Sequence, residues 1–225
     1  MKKEILCYGD SNTWGCIPRW KDSLLPSKRY DEETRWPCVM ASELGSGYHV
    51  IEEGLGGRTT IYDDKEELYK RGIDYLLPCL LTHRPLDLVI IMLGTNDLQL
   101  RNQREPLTKE RLGNGIEELV KVVKNTDKCG RGNRPPQILL LAPIPIKQAI
   151  GRIGVYANFG GEEGERLSRL FPEVYEQTAK KYECGFLNAA CYAEPDDGDG
   201  VHFSRDSHPR LGRAVAAKVK EMMEE

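Results

Sequence analysis

The sequence predicts an α/β fold, a three-layer α/β/α sandwich with about five parallel strands, and three observations predict it. Five short apolar runs are spread along the 225 residues, and most of them close on glycine or proline. Between the runs lie stretches whose apolar residues recur at helical spacing. Runs that are apolar throughout, rather than alternating, suit a parallel sheet covered by helices on both faces. No internal repeat, low-complexity tract or linker interrupts the alternation, and the length suits one substantial core, so residues 1–225 are expected to form a single domain.

In chain order, Ile5-Leu6-Cys7-Tyr8 is the first strand, ended by Gly9. Asp10 or Ser11 then begins a helix whose first turn holds Thr13 and Trp14. Trp36, Val39, Met40 and Leu44 mark a helix that Gly45 terminates. His49 to Glu52 is a short strand. A helix is predicted over Glu66 to Leu81, with Pro78 as a kink or break. Leu88 to Leu93 is the clearest buried strand, six apolar residues of which three are β-branched. Leu112, Ile116, Leu119, Val120 and Val123 define the next helix, and Gln137 to Ala142 the next strand, stopped by Pro143-Ile144-Pro145. A helix over Gly164 to Lys180, a strand over Cys184 to Leu187, and a last helix through Leu211, Val215, Val219 and Met222 complete the pattern.

Four strand-end segments carry the chemistry. Gly9-Asp10-Ser11-Asn12 aims a serine hydroxyl off the first strand, at the carboxyl edge where open α/β sheets place ligands. Gly54 to Gly57 holds three glycines in four residues, which lets backbone N–H groups approach a substrate. Gly94-Thr95-Asn96-Asp97 presents an amide NH2, a suitable donor to a developing oxyanion. Asp199-Gly200-Val201-His202-Phe203 spaces a carboxylate three residues before an imidazole, so one ring nitrogen can be held while the other faces a serine. Of the four histidines, His49 and His83 read as structural, and His208 beside Asp206 and Pro209 reads as a first-turn residue of the last helix.

Taken together, these segments resemble the SGNH (GDSL-type) hydrolase superfamily, whose blocks occur here in order over nearly the whole chain. Ile5 to Gly15, Ile51 to Thr60 and Leu86 to Asp97 are most similar to its bacterial arylesterase and acyltransferase branch. The resemblance implies a flavodoxin-like SGNH hydrolase fold, Ser11 as nucleophile, His202 as base and Asp199 as its orienter. It implies an oxyanion hole formed by Ser11, Gly57 and Asn96. Two departures stand out: Asn12 replaces the leucine of the family name and is expected to alter the acyl-pocket wall, and Glu52 or Glu53 stands where the second block often begins with asparagine. Asp10, Asn12, Trp14, Cys16 and Phe203 are the expected pocket residues.

The implied activity is that of a serine esterase that hydrolyses or transfers short acyl groups, acetyl above all, between a small ester and water or an alcohol. A carbohydrate O-acetylesterase is the alternative, since Trp14, Trp20 or Tyr156 can stack on a sugar ring. From another class, a catalytically silent small-molecule binder, or an anion binder using Gly54 to Thr60, would keep the fold. No metal-ligand spacing is present and no cofactor is expected. The net charge of −3 argues against a nucleic-acid footprint. Seven unevenly spaced cysteines argue for free thiols, and no stretch approaches the 18 apolar residues of a membrane span, so a cytoplasmic enzyme without membrane partners is expected. The irregular segments 18–35 and 146–163 are long enough to shape the entrance, and relatives in the branch tend to form homo-oligomers in which such loops narrow it.

Overall fold

The computed structural model describes residues 1–18, 28–65, 67–151 and 153–224. Its centre is a parallel sheet of β1 (Lys3–Gly9), β2 (Tyr48–Gly54), β3 (Leu88–Met92), β4 (Gln137–Ala142) and β5 (Gly185–Asn188), in the order β2-β1-β3-β4-β5. The helices are α1 (Ser11–Trp14), α2 (Trp36–Leu44), α3 (Gly72–Thr82), α4 (Lys109–Lys124), α5 (Ile153–Asn158), α6 (Gly161–Ser168), α7 (Phe171–Lys181) and α8 (Ser207–Glu224).

Because successive strand residues point to opposite faces, the apolar strands feed two cores. Ile5, Cys7, Leu88, Ile90, Leu139 and Leu141 pack with Trp36 and Met40 of α2 and with Leu211, Val215 and Val219 of α8. Leu6, Tyr8, Val89, Ile91 and Leu140 pack on the other face with Leu76 and Leu80 of α3, Ile116 and Val120 of α4, and Phe171 and Tyr175 of α7. Each such fully buried side chain contributes about 1.5–3 kcal/mol of transfer free energy. Among the described residues, no helix is long and apolar enough to cross a membrane.

Three segments differ from the sequence expectation. The helix expected over 164–180 is two helices, α6 and α7, because Pro172 has no N–H to give the carbonyl one turn back and instead sits in the first turn of α7. The helix expected from Glu66 begins only at Gly72: a single 3₁₀ turn over Leu68–Lys70 precedes it, and the extended Arg71 separates the two. Pro78 lies inside α3 without ending it, and Glu66 falls outside the described residues. The segment 146–163, expected to be irregular, contains α5 and the start of α6; its glycines masked the helical spacing. Of the 18–35 segment, Trp20, Leu24 and Leu25 lie outside the described residues.

One glycine decides how the sheet edge meets the first helix. A Cβ on Gly54 would lie 2.2 Å from the backbone nitrogen of Trp14, so α1 packs directly on the end of β2 only because that residue has no side chain. Gly54→Ala is expected to lower the unfolding free energy by about 1–3 kcal/mol in denaturant titration, through forced backbone displacement. Gly47→Ala, where a Cβ meets nothing within 4 Å, serves as the control and should change little.

Candidate active site

The site forms where three strands end together. Gly9 is opposite Gly54 of β2 on one side and Met92 of β3 on the other. The chain order reverses direction at β1, and ligands of open α/β sheets gather at such a point, at the carboxyl ends of the strands. Ser11 opens α1, a single helical turn. The Asp10 carboxylate caps it by accepting from the Asn12 N–H at 2.9 Å. Gly15, left-handed at φ 88°, closes it by donating to Ser11 O at 2.9 Å.

The segment 199–203 comes to meet it from the far end of the sequence. His202 Nε2 lies 2.9 Å from Ser11 Oγ, and His202 Nδ1 lies 2.7 Å from Asp199 Oδ2. The second carboxylate oxygen of Asp199 accepts from the N–H groups of Val201 at 3.1 Å and His202 at 3.0 Å, so the carboxylate is held on both sides. Burial opposes a charge on the imidazole, but the hydrogen bond and charge of Asp199, together with those of Cys16, outweigh it, and the His202 pKa is raised above the ordinary histidine value. The Asp199 carboxyl is likewise costly to bury, yet its bonds to His202 hold it below the usual carboxylate range. The rival His208 is fully buried at the start of α8, edge-on to the rings of Tyr30 and Phe203 at 5.2 Å each. Neither of its ring nitrogens has a hydrogen-bond partner among the described residues, and burial pushes its pKa down to about 3.

Asn12 is not a pocket wall. It is 4% exposed, and its side chain turns away from the cavity to grip both flanks of His202. The Asn12 amide oxygen accepts from the Phe203 N–H at 2.9 Å, and its NH2 donates to Val201 O at 3.3 Å. Asp10 and Phe203 are corrected in the same way. Asp10 is buried as the cap of α1, and Phe203 is fully buried in the core against α8. Neither lines the cavity, whereas Trp14 and Cys16 do.

Asn96 and Gly57 line the same cavity as Ser11. The Asn96 amide is oriented from both ends: its oxygen accepts from Gln99 Nε2 at 2.6 Å, and its nitrogen donates to Arg58 O at 3.1 Å with Asp10 Oδ2 at 3.5 Å. Gly57 adopts φ 79°, a left-handed conformation that favours glycine, and Gly56 passes close enough that a Cβ there would sit 4.0 Å from that of Ser11. Asp97 binds the glycine turn to the β3 turn: its carboxylate accepts from the Thr60 N–H at 2.8 Å and the Thr60 hydroxyl at 2.6 Å. Burial pushes the Asp97 carboxyl up to about 7.

The cavity, about 820 Å³, is lined by apolar Trp14, Leu55, Leu100, Val155 and Phe159 and by polar Lys70, Gln99, Arg101 and Asn158. Trp14 was expected in the pocket, Leu55 lies in the glycine block, and Val155, Asn158 and Phe159 lie in the 146–163 segment expected to shape the entrance; Lys70, Gln99, Leu100 and Arg101 were missed in the sequence. Gln99 to Arg101 lie within five residues of the Gly94–Asp97 block, a proximity that could have flagged them; Lys70 lies in the stretch read as helix, where its place beside the cavity has no sequence signal.

Comparison with known proteins gives a consistent picture. Residues 7–210 match the sequence profile of the GDSL-like Lipase/Acylhydrolase family. Among solved structures, a carbohydrate acetylesterase from Sinorhizobium meliloti is 39% identical with a TM-score of 0.89, over 98% of this chain and 100% of that one. The aryl esterase of M. smegmatis is 37% identical with a TM-score of 0.88, over 97% of this chain and 99% of that one. A carbohydrate acetylesterase family member from S. meliloti is 35% identical with a TM-score of 0.86, over 99% of this chain and 100% of that one. A search of curated proteins finds no match.

The grip of Asn12 can be tested without any assay of activity. Asn12→Leu removes two hydrogen bonds and strands the Phe203 N–H and Val201 C=O in an interior where those residues are 0% and 5% exposed. Each stranded group costs about 1–3 kcal/mol, so stability in denaturant should fall by roughly 2–4 kcal/mol. A loss below about 0.5 kcal/mol would mean that the two segments are held together by something else.

Proposed function

The chain belongs to the GDSL-like lipase/acylhydrolase family, and from that premise we propose that it is a serine esterase cleaving small acyl esters through an acyl-Ser11 intermediate. The observation that carries this reading is the hydrogen-bonded line from Asp199 through His202 to Ser11, at 2.7 and 2.9 Å, ending on a hydroxyl in the cavity wall.

In this reading, Ser11 Oγ attacks the ester carbonyl as its proton passes to His202 Nε2. Asp199 holds the Nδ1 proton, which fixes the ring and stabilises the cation formed. The N–H groups of Ser11 and Gly57 and the Asn96 amide receive the negative oxygen of the tetrahedral intermediate. The Ser11 N–H is free for this because the first N–H groups of a helix have no partner within it. The intermediate collapses, His202 returns the proton to the leaving alcohol, and water then attacks the acyl-serine by the same route in reverse.

Two features support finer assignments. The apolar lining residues suit a short acyl group or an aryl alcohol, and keeping water from them would favour transfer to an added alcohol. The polar lining residues favour the second reading, a carbohydrate O-acetylesterase, because Gln99, Asn158, Lys70 and Arg101 can bond sugar hydroxyls and Trp14 can stack on a sugar ring. The two S. meliloti structures, described as acetylesterases of carbohydrates, point the same way. The exposed Leu68, Tyr69, Leu100 and Ile150 fit assembly into a homo-oligomer, and seven free thiols fit a reducing, cytoplasmic setting.

Hydrolysis of p-nitrophenyl acetate by the purified chain should fall at least about a thousandfold in Ser11→Ala and in His202→Ala. Undiminished rates in either variant would remove that residue from the mechanism. Acetylated sugars and aryl acetates compared at equal concentration separate the two substrate readings by kcat/KM. The pH dependence has a defined sign. Neutral His202 is the working base and Asp199 raises its pKa, so kcat/KM should fall on acidification with a midpoint above the ordinary histidine value of about 6.5. In Asp199→Asn the largest influence raising the ring's pKa is lost while burial still lowers it, so the midpoint should move to lower pH as the rate drops. A midpoint that stays in place contradicts the assignment of Asp199.

A further inference from the structure

Away from the cavity, α3 and the residue that caps its C-terminus present two side chains able to ligate a metal, facing the edge strand. Cys79 and His83 are four residues apart, so helical geometry sets them one turn apart on a single face. Glu53, next to last in β2, faces them: His83 Nε2 lies 3.0 Å from Glu53 Oε1. One donor atom from each of the three lies within 4.8 Å of the others, the one such group among the described residues. None of the three lines the cavity at Ser11.

We propose that Glu53, Cys79 and His83 form a binding site for a divalent transition-metal ion, zinc being the best match. One thiolate, one imidazole and one carboxylate form a borderline-soft donor set, which suits zinc or cobalt(II) and not the all-oxygen demands of calcium or magnesium. Around a tetrahedral zinc, a bound nitrogen and a bound oxygen stand about 3.4 Å apart, so the 3.0 Å pair needs to open only slightly. The Glu53 and His83 side chains are 19% and 27% exposed, which leaves the ion a route in and a fourth position for water. Cys79 is fully buried and closes the site from within. On binding, the thiol proton passes to solvent, and carboxylate and thiolate together balance the dication. The Arg58 guanidinium, which donates to the Glu53 backbone carbonyl and acts electrostatically on Cys79, is the nearby charge that these two anions must also answer. A metal here would clamp the end of β2 to α3 immediately before Gly54, where the cavity-lining turn begins.

Cobalt(II) titration of the full chain, with Zn²⁺ as competitor, tests the site. The parent and Cys191→Ser, a control at an exposed cysteine, should develop thiolate-to-cobalt charge-transfer absorption saturating at one ion per chain. Cys79→Ala should abolish it, and His83→Gln should weaken binding at least about tenfold. Because Cys79→Ala alters the core, the part-exposed His83→Gln carries a second readout: Zn²⁺ should raise the Tm of the parent by more than that of His83→Gln at the same concentration. Absorption that survives Cys79→Ala, no absorption in the parent at millimolar Co²⁺, or equal Tm shifts in parent and His83→Gln would each overturn the proposal.

Discussion

The site depends on one long-range contact: two segments 191 residues apart in sequence must be held at hydrogen-bond distance with the side chains of Ser11 and His202 facing each other. Neither segment could do this alone. Ser11 rides on a single turn of helix, and His202 sits in a loop whose own backbone bonds, Asp196 N–H to His202 O and Gly200 N–H to Asp196 O at 2.8 Å each, shape the loop without reaching Ser11. Asn12 supplies the connection, accepting from one side of His202 and donating to the other within the interior. The strand ends supply the floor, because Gly9, Gly54 and Met92 stand in register and bring three turns to one place.

A buried polar layer beneath the cavity supports those turns. Arg58 stacks over the Tyr8 ring at 4.2 Å and donates to Gly9 O at 3.0 Å and to Glu53 O, joining β1 and β2 at their ends. Its own carbonyl accepts from Asn96, and Asp97 bonds both polar groups of Thr60, so the glycine turn and the β3 turn move together. Burial pushes Asp10 up to about 6 and Asp97 up to about 7. Both carboxyls are raised above their unfolded values, so this layer is most favourable in acid and loses stability as pH climbs from about 4 toward 7. Such a layer keeps its dipoles in place before substrate arrives, the condition under which oxyanion donors are most effective.

Much of this was legible in the sequence, for local physical reasons. A strand buried on both faces must be apolar throughout, so the strand over 88–93 announced itself, and the glycine after it marked the turn that bears Asn96. Asp199 and His202 were readable because a carboxylate three residues before an imidazole can reach its ring, and because the block resembles that of the SGNH hydrolases. The direction of a side chain on a one-turn helix was not readable. Asn12 is the immediate neighbour of Ser11 yet points about 100° around the helix axis, into the interior rather than the cavity. Phe203 likewise follows His202 and faces the opposite way, into the core against α8. Lys70, Val155, Asn158 and Phe159 reach the cavity from segments that packing alone brings there.

The central claim is that Ser11 is the atom that becomes acylated. Treating the chain with a fluorophosphonate and mapping the adduct by mass spectrometry tests this most directly. The account predicts one adduct per chain, on Ser11, absent in Ser11→Ala and formed far more slowly in His202→Ala. An adduct on Cys16 or any other residue, or an unmodified chain that still cleaves esters, would contradict it.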